Sequence, residues 1–381
     1  MSATDSKMPA VSYDVQQRDI LKIAVLGAAG GIGQSLSLLL KSNASFLLPR
    51  DSSRHISLAL YDVNKDAIVG TAADLSHIDT PITTTPHYPN DGNGGIARCL
   101  QDADMVIIPA GVPRKPGMSR DDLIGVNAKI IKSLGNDIAE YCDLSKVHVL
   151  VISNPVNSLV PLMVSTLANS PHSANTNIEA RVYGITHLDL VRASTFVQQL
   201  NSFKSNNAPD IPVIGGHSGD TIIPVFSVLN HRASNSGYAN LLDNGVRQKL
   251  VHRVQYGGDE IVQAKNGNGS ATLSMAYAGF KIAAQFIDLL VGNIRTIENI
   301  CMYVPLTNRY NTEIAPGSDE LRSKYINGTL YFSIPLSIGI NGIERVHYEI
   351  MEHLDSYERE TLLPICLETL KGNIDKGLSL V

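Results

Sequence analysis

The residue best suited to proton transfer is His217, which lies in the small-residue stretch Ile214-Gly-Gly-His-Ser-Gly219. Imidazole titrates near neutral pH, so it can act as a general base for a hydroxyl group. Such a base needs a partner on its other ring nitrogen, and Asp189 in His187-Leu-Asp-Leu-Val-Arg192 could be that partner. Most histidines are structural, but glycines do not hold a core or a helix together. The surroundings of His217 therefore favour an acid–base site.

A cation lies close to the same aspartate in the sequence. If the segment is helical, Asp189 and Arg192 are three residues apart and share one face. Two interpretations stay open at this point. Asp189 either orients the imidazole of His217 or forms only a surface ion pair with Arg192.

More cations lie in residues 111–122, Gly-Val-Pro-Arg-Lys-Pro-Gly-Met-Ser-Arg-Asp-Asp, directly after an apolar run. Its two prolines and its internal glycine rule out a helix around Arg114 and Lys115. Taken alone, this segment with Arg120 fits an ordinary solvated surface loop. Only the rest of the chain can give these cations a function.

A glycine-rich turn lies between a predicted strand, residues 20–26, and a predicted helix, residues 34–41. Small residues let the main chain approach a pyrophosphate, whose charge is met by free N–H groups and by the helix dipole. The spacing G-x-x-G-x-x-G is a weak signal by itself and also fits a tight strand–helix turn. The residues expected to contact a cofactor here are Gly27, Ala28, Ala29, Gly30, Gly31, Ile32 and Gly33.

The next strand, residues 56–61, ends at Asp62. An acid in this position can accept hydrogen bonds from both ribose hydroxyls of NAD and would repel the additional phosphate of NADP. Asp62 lies further along the chain than the usual ~20 residues, which we attribute to a polar insertion at residues 42–55. The same carboxylate could cap a helix that begins near Asn64, and the two roles are compatible. The sequence therefore favours NAD as cofactor.

The elements that must position these residues alternate between strand and helix in the first half of the chain. Such alternation predicts an α/β fold with a Rossmann-type, doubly wound parallel sheet. Strands are predicted for residues 20–26, 56–61, 105–110 and 147–152, helices for 34–41, 64–76 and 121–141, and surface loops for 42–55, 86–95, 169–179, 204–210 and 231–238.

The second half is more mixed and predicts an α+β catalytic domain. Helices are predicted for residues 188–203, 243–264, 272–292 and 349–376, and β segments for 211–223, 300–305 and 330–346. A length of 381 residues fits about two domains. We predict a disordered tail at residues 1–18, an NAD-binding domain at 19–165 and a substrate-binding, catalytic domain at 166–381.

Composition excludes several classes of function. A net charge of −5 gives no basic surface for nucleic acid or an anionic membrane. The apolar residues 147–170 are interrupted by Asn154-Pro155 and Pro161, so they fit a buried strand and a core helix better than a membrane span.

The chain also lacks the patterns of disulfide and metal sites. Its four cysteines, Cys99, Cys142, Cys301 and Cys366, are far apart, which favours free thiols in a reducing compartment. No His, Cys or carboxylate cluster has metal-ligand spacing, so no metal is expected. The N-terminus has neither an apolar signal core nor an arginine before Arg18, and the cytoplasm is the expected location.

Together these motifs resemble the lactate/malate dehydrogenase superfamily, and within it the malate dehydrogenases of bacterial and organellar type. The resemblance extends from about residue 21 to 375 and rests on GAAGGIG, LYDV, AGVPRKPGMSRDDL, ISNPVNS, THLDLVRAS, GGHSGDTIIP and GNGSATLSMA. It implies NAD-dependent interconversion of malate and oxaloacetate by a eukaryotic cytosolic homodimer.

The resemblance also implies roles for the charged residues. His217 and Asp189 match the proton relay, and Arg192 matches the residue that binds the carboxylate beside the reacting carbon. Arg114 is similar to the arginine that selects the distal carboxylate. Arg120 is similar to the residue that contacts the carboxylate and polarises the carbonyl when residues 111–122 close as a lid over the substrate.

Other matched positions concern the cofactor and the orientation of the substrate. Asn154 resembles the asparagine that hydrogen-bonds the substrate. Ile152 and Ser153 match residues beside the nicotinamide, and Asn127 and Met275 match further cofactor contacts.

The residue at position 114 decides between malate and lactate. An arginine fork can hold a carboxylate by charge-assisted hydrogen bonds, each contributing roughly 1.5–3 kcal/mol. With pyruvate, Arg114 would face a methyl group, and an unmet polar partner can reject an analogue by about 10⁴-fold. Lactate dehydrogenases lack this arginine. The alternatives are a broader 2-hydroxy-acid dehydrogenase, a non-catalytic NAD-binding protein and a scaffold.

Overall fold

The structure is a computed structural model, and it describes residues 20–48, 54–92, 94–112, 120–200, 208–230 and 243–381. At residues 120–122, 230 and 244 only the main chain is described. The predicted tail, residues 1–18, lies outside these ranges, and so do Arg114 and Lys115.

One sheet contains all the strands in the described residues, in the order β3-β2-β1-β4-β5-β6-β9-β10-β7-β8, with β11 beside β10. Strands β1 to β6 pair in parallel, and their order is that of the doubly wound dinucleotide-binding fold. The predicted fold class is confirmed. The strands are β1 Ile20–Leu26, β2 His55–Tyr61, β3 Thr83–His87, β4 Met105–Ile108, β5 His148–Val151, β6 Val182–Gly184, β7 Val213–Gly215, β8 Ile222–Pro224, β9 Thr296–Pro305, β10 Tyr331–Gly339 and β11 Gly342–Val346.

Helices connect and cover these strands. They are α1 Gly31–Asn43, α2 Lys65–Ser76, α3 Gly95–Leu100, α4 Arg120–Tyr141, α5 Val156–Ala168, α6 His187–Leu200, α7 Asn244–Ala264, α8 Leu273–Val291, α9 Ser318–Lys324 and α10 Leu363–Leu378. The helix predicted from residue 34 begins three residues earlier, at Gly31, so the last three residues of the glycine-rich turn belong to the first turn of α1.

The sheet is continuous between the two halves of the chain. Gly184 at the end of β6 pairs antiparallel with Tyr303 of β9. A Cβ atom at Gly184 would lie 2.8 Å from side-chain carbons of Val156 and Val160, so this close packing requires glycine. The strands of the second half therefore extend the parallel sheet of the first.

The two apolar segments that could suggest membrane spans belong to the protein core. Residues 147–170 form β5 and α5, as predicted. Among the described residues, only α8 is long and apolar enough to span a membrane, and 56% of its apolar window is buried within the protein. A Cβ atom at Gly279 of α8 would lie 3.1 Å from Ile152, which shows how closely this helix packs on the sheet.

The predicted C-terminal helix, residues 349–376, is wrong in its first part. Residues Tyr348–His353 form a 3-10 turn and Glu358–Leu362 a π-helical turn before α10 begins. Between these turns, the Asp355 carboxylate accepts a hydrogen bond from the Glu358 main-chain N–H at 3.0 Å. Both acids also form ion pairs with Arg247 of α7. These polar contacts fix a break that helical periodicity does not reveal.

The segment 86–95, predicted to be a loop, contains the end of β3 and the start of α3. Strand β3 was missed because it lies at the edge of the sheet and its sequence, Thr-Thr-Thr-Pro-His, shows no apolar alternation. None of the four cysteines forms a disulfide, as predicted, and only Cys142 is partly exposed. Burial raises the pKa of the Cys99 and Cys366 thiols, so both are protonated at neutral pH.

Candidate active site

The predicted acid–base pair is formed. His217 Nδ1 lies 2.6 Å from Asp189 Oδ2, although the residues are 28 positions apart in the chain. The Asp189 side chain is fully buried, and only 8% of the His217 side chain is exposed. A carboxylate only accepts hydrogen bonds, so Nδ1 carries the proton and Nε2 is the ring nitrogen left for chemistry.

A tight turn between β7 and β8 places His217. Gly215, the last residue of β7, has φ = +99°, and a Cβ atom there would lie 2.2 Å from the Thr221 carbonyl oxygen. The next main-chain N–H, of Gly216, donates to that same carbonyl at 2.7 Å. The glycines beside His217 therefore allow the chain to turn sharply and present the imidazole.

Arg192 binds the other oxygen of the same carboxylate, with Nη1 donating to Asp189 Oδ1 at 3.3 Å. Because Asp189 is completely buried, the alternative of a simple surface ion pair is wrong. The Arg192 side chain is 13% exposed and packs on α7, where a Cβ atom at Gly257 would lie 3.1 Å from its Cδ. The guanidinium has five N–H donors, so it can bind an anion while retaining its bond to Asp189.

These side chains line a cleft of about 240 Å³ between the two halves of the chain. Its wall also contains Ile32 from the glycine-rich turn and Met275 from α8. A ligand at the glycine-rich turn can therefore extend to His217. The cleft brings together Ile32, Asn154, Asp189, Arg192, His217 and Met275, all predicted site residues.

The geometry of the glycine-rich turn fits a dinucleotide. Gly27 has φ = +95°, and a Cβ atom there would lie 2.6 Å from the Ala110 Cα. A Cβ atom at Gly33 would lie 2.2 Å from the Gly27 carbonyl oxygen. No side chain caps α1 at its N-cap residue Gly30, and its first turn has no acid. The main-chain N–H groups at this helix end are thus suited to a pyrophosphate.

Asp62 connects the turn with the end of β2. Its Oδ2 accepts a hydrogen bond from Ala29 N at 3.1 Å, and its Oδ1 accepts one from Asn64 N at 3.0 Å. The cap of α2 is Asn64, whose side chain accepts from Ala67 N at 3.1 Å. The capping role suggested for Asp62 is therefore wrong. Its partly exposed carboxylate lies beside the glycine-rich turn.

Asn127 is buried and holds two loops together. Its Oδ1 accepts from Val112 N at 2.9 Å, and its Nδ2 donates to the Asn154 carbonyl at 2.8 Å. It thus joins the strand end that leads to residue 114 with the loop that carries Asn154. The structure gives it a supporting position, and a cofactor contact stays a prediction.

The loop after β5 carries the remaining predicted residues. Ser153 Oγ donates to the Ile108 carbonyl at 3.0 Å and also to that of Ala110, which fixes this loop to the end of β4. Ile152 is buried, whereas the Asn154 side chain is exposed at the cleft. The side chain of Arg120, at the start of α4, lies outside the described part of the chain, as does Arg114.

Sequence reasoning missed Asn157, which donates and accepts hydrogen bonds within the His217 turn. Asn157 belongs to the ISNPVNS motif, but the family resemblance implies no role for it. The sequence offers no signal for this role, because it depends on the fold bringing the His217 N–H to the Asn157 oxygen. Gln255 and Tyr256 of α7 also line the cleft and were not predicted.

Comparison with known proteins gives matches over nearly the whole chain. Residues 21–183 match the family described as lactate/malate dehydrogenase, NAD binding domain, and residues 186–381 match lactate/malate dehydrogenase, alpha/beta C-terminal domain. The chain is 56% identical over 374 residues to the cytoplasmic malate dehydrogenase of Saccharomyces cerevisiae, with 96% of each chain covered. It is 41% identical over 360 residues to the mitochondrial malate dehydrogenase of the same yeast, with 94% of each covered.

Solved structures show the same fold at low sequence identity. The apo malate dehydrogenase from Picrophilus torridus has a TM-score of 0.71 at 23% identity, covering 94% of this chain and 98% of that one. A lactate dehydrogenase from Cryptosporidium parvum, complexed with lactic acid and NAD, has a TM-score of 0.64 at 22% identity, covering 94% and 96%.

Proposed function

The chain belongs to the lactate/malate dehydrogenase family, and we propose that it interconverts (S)-malate and oxaloacetate with NAD as cofactor. The observation that carries this function is the buried His217–Asp189 pair beside Arg192, in a cleft that reaches the glycine-rich turn. The extensive identity with a cytoplasmic malate dehydrogenase supports this substrate pair and a cytoplasmic location.

The proton is moved by His217. When bound, NAD supplies the acceptor for the hydride that leaves C2 of malate. His217 Nε2 takes the hydroxyl proton, and the Asp189 carboxylate, 2.6 Å from Nδ1, stabilises the imidazolium. In the reverse direction the imidazolium returns this proton to the carbonyl oxygen of oxaloacetate.

Arginines determine the substrate in this proposal. Arg192 lines the cleft beside His217 and binds the carboxylate next to the reacting carbon. Arg114 binds the distal carboxylate and Arg120 polarises the carbonyl; these two roles rest on the family resemblance. Asn154, exposed at the cleft, hydrogen-bonds the substrate.

The proposed cofactor site consists of the glycine-rich turn and the residues around it. The diphosphate binds at the uncapped start of α1, and Asp62 receives the ribose hydroxyls. The proposed cofactor-binding residues are Gly27, Ala28, Ala29, Gly30, Gly31, Ile32, Gly33, Asp62, Asn127, Ile152, Ser153, Asn154 and Met275. The proposed domain boundary, between residues 165 and 166, falls within α5.

A homodimer is the proposed assembly. It is supported by the family resemblance and by Leu38 and Val69, large apolar residues exposed on α1 and α2. Leu38 lines a shallow groove of about 430 Å³ between these helices. Sedimentation of the wild-type protein and of Leu38→Glu tests this assembly. A wild-type protein that sediments as a monomer at micromolar concentration would contradict it.

The substrate assignment is tested with the purified protein by following NADH absorbance after addition of oxaloacetate. Oxidation should be rapid with oxaloacetate, and slow with pyruvate or with NADPH. In Arg114→Gln, oxaloacetate turnover should fall while some pyruvate turnover appears. Pyruvate used by the wild type as efficiently as oxaloacetate would overturn the assignment to malate.

A further inference from the structure

A buried amide lies behind the catalytic histidine. Asn157, in the first turn of α5, is 1% exposed and lies three residues after Asn154 in the chain. Its Oδ1 accepts a hydrogen bond from the main-chain N–H of His217 at 2.8 Å. His217 is therefore held at two points: its ring by Asp189 and its main chain by Asn157.

The other end of the amide faces oxygens from two segments. Asn157 Nδ2 lies 3.0 Å from Ser218 Oγ, 3.1 Å from Thr221 Oγ1 and 3.1 Å from Asn373 Oδ1. Ser218 and Thr221 belong to the His217 turn, and Asn373 belongs to α10. The amide thus joins α5, the turn and the C-terminal helix at a single buried point.

The chemistry of this position is specific for asparagine. A main-chain N–H can only donate, so the Asn157 oxygen must face His217, and its two N–H groups must face the three oxygens. Leucine would have similar volume but no polar atoms. Aspartate would keep the acceptor for His217 and lose both donors. The amide packs directly against the main chain of the turn, because a Cβ atom at Gly216 would lie 2.8 Å from both amide atoms of Asn157.

We propose that Asn157 is a positioning residue for proton transfer, and that its acceptor bond to the His217 main chain sets where Nε2 lies relative to Asn154 in the cleft. This inference rests on the proposed dehydrogenase function. Proton transfer requires heavy atoms within hydrogen-bond reach, and a misplacement of about 1 Å can lower the rate by about 10²-fold. Asn157 does not touch the glycine-rich turn, so cofactor binding should not depend on it.

The neighbouring residue provides a matched control. Ser158 Oγ donates to the Asn373 carbonyl at 2.8 Å, so Ser158→Ala weakens the same contact between α5 and α10 without touching the His217 turn. The experiment compares wild type, Asn157→Leu, Asn157→Asp and Ser158→Ala. For each, kcat and KM for oxaloacetate are measured at the variant's own pH optimum, the Kd for NADH by fluorescence titration, and Tm by calorimetry.

We expect Asn157→Leu to lose about 10²-fold in kcat with the Kd for NADH within twofold of wild type. The kcat of Asn157→Asp should be at least tenfold higher than that of Asn157→Leu, because aspartate retains the acceptor for the His217 N–H. Ser158→Ala should lower Tm while kcat stays within threefold.

Two outcomes would overturn the inference. One is a kcat of Asn157→Leu that matches that of Ser158→Ala, and the other is an Asp variant as slow as the Leu variant. If Asn157→Leu does not fold, Asn157→Asp decides alone: a kcat within tenfold of wild type supports the role, and a 100-fold loss with intact NADH binding refutes it. An inactive wild-type protein would instead refute the proposed function, so the two failures are distinguishable.

Discussion

The glycine-rich turn and the cleft around His217 use different chemical groups of the chain: the turn uses main-chain groups, and the cleft uses side chains. The turn is contiguous, residues 27–33, and offers main-chain N–H groups, with glycines where a side chain would clash. The proposed catalytic group is assembled from side chains of separate segments, with His217 and Asp189 meeting across 28 positions. We therefore expect the turn to be sensitive to added side-chain atoms, and the cleft to be sensitive to the removal of side-chain functional groups.

This contrast predicts how each site should respond to substitution. Phosphate recognition by the main chain depends on close approach, so an added methyl group is the damaging change. Proton transfer depends on one imidazole and its buried partner, so removing a functional group is the damaging change. Three substitutions test this contrast and a fourth tests an ion pair outside both sites, and they are taken from the largest expected effect to the smallest.

The largest effect is expected for His217→Ala. Turnover of oxaloacetate should fall by about 10²–10⁴-fold, because the general acid is removed. The Kd for NADH should stay near that of wild type, because the glycine-rich turn is untouched. Steady-state kinetics and fluorescence titration measure both quantities. His172→Ala, at a histidine whose side chain is 51% exposed, is the control and should change neither. Turnover retained in His217→Ala would remove this residue from the mechanism.

Arg192→Lys keeps the charge but loses the planar fork. We expect kcat/KM for oxaloacetate to fall by about 10- to 150-fold, the value of one charged hydrogen bond of roughly 1.5–3 kcal/mol. Asp189 would keep a cationic neighbour, so Tm should change little. Unchanged kinetics would show that the guanidinium does not bind substrate.

In the cofactor turn, Gly33→Ala adds one methyl group. Its Cβ would lie 2.2 Å from the Gly27 carbonyl, and such overpacking costs about 1–3 kcal/mol. NADH binding should weaken by about tenfold or more, as measured by titration. Gly372→Ala is the matched control, since a Cβ atom at this α10 position meets nothing within 4 Å. Equal NADH affinity in both variants would contradict the close approach described for the turn.

The smallest effect concerns an ion pair that links the two halves. Arg309, which follows β9, binds Glu179, which precedes β6, with Nε 2.7 Å from Oε1. Burial alone would raise the pKa of Glu179, but the bonds from Arg309 outweigh it and hold this pKa below its ordinary value of 4.5. The pair therefore stabilises the fold fully above about pH 4.5, and this contribution is lost as the pH falls through the lower, folded-state value.

Urea unfolding of wild type and Glu179→Gln from about pH 2 to pH 7 checks this sign. The difference in unfolding free energy should be constant above about pH 4.5 and should shrink as the pH falls below that value. Parallel curves for the two proteins would show that the ion pair is not coupled to folding.

The same contrast between contiguous and assembled features separates what the sequence predicts from what it does not. The glycine-rich turn and the strands β1, β2, β4 and β5 were predicted because local pattern alone determines them. The edge strand β3 was missed because its Thr-rich sequence lacks apolar alternation, and β6 because three residues show no periodicity.

Residues at the catalytic site were predicted when their side-chain chemistry suggested a role. His217, Asp189 and Arg192 met this condition. Asn157 did not, because an asparagine in a helix has no distinct chemistry until the fold brings the His217 N–H to its oxygen. The break before α10 was missed for the same reason, since it depends on Arg247 of another helix.

The pairing of Gly184 with Tyr303 has a consequence for how this protein can be divided. A fragment ending after β6 would leave the hydrogen-bonding groups of that strand uncovered, and a fragment beginning later would expose β9 in the same way. Bare strands of this kind recruit other chains and aggregate. Each half thus shields a strand edge of the other. We expect an isolated cofactor-binding half to be poorly soluble, even though it would contain the whole glycine-rich turn and Asp62.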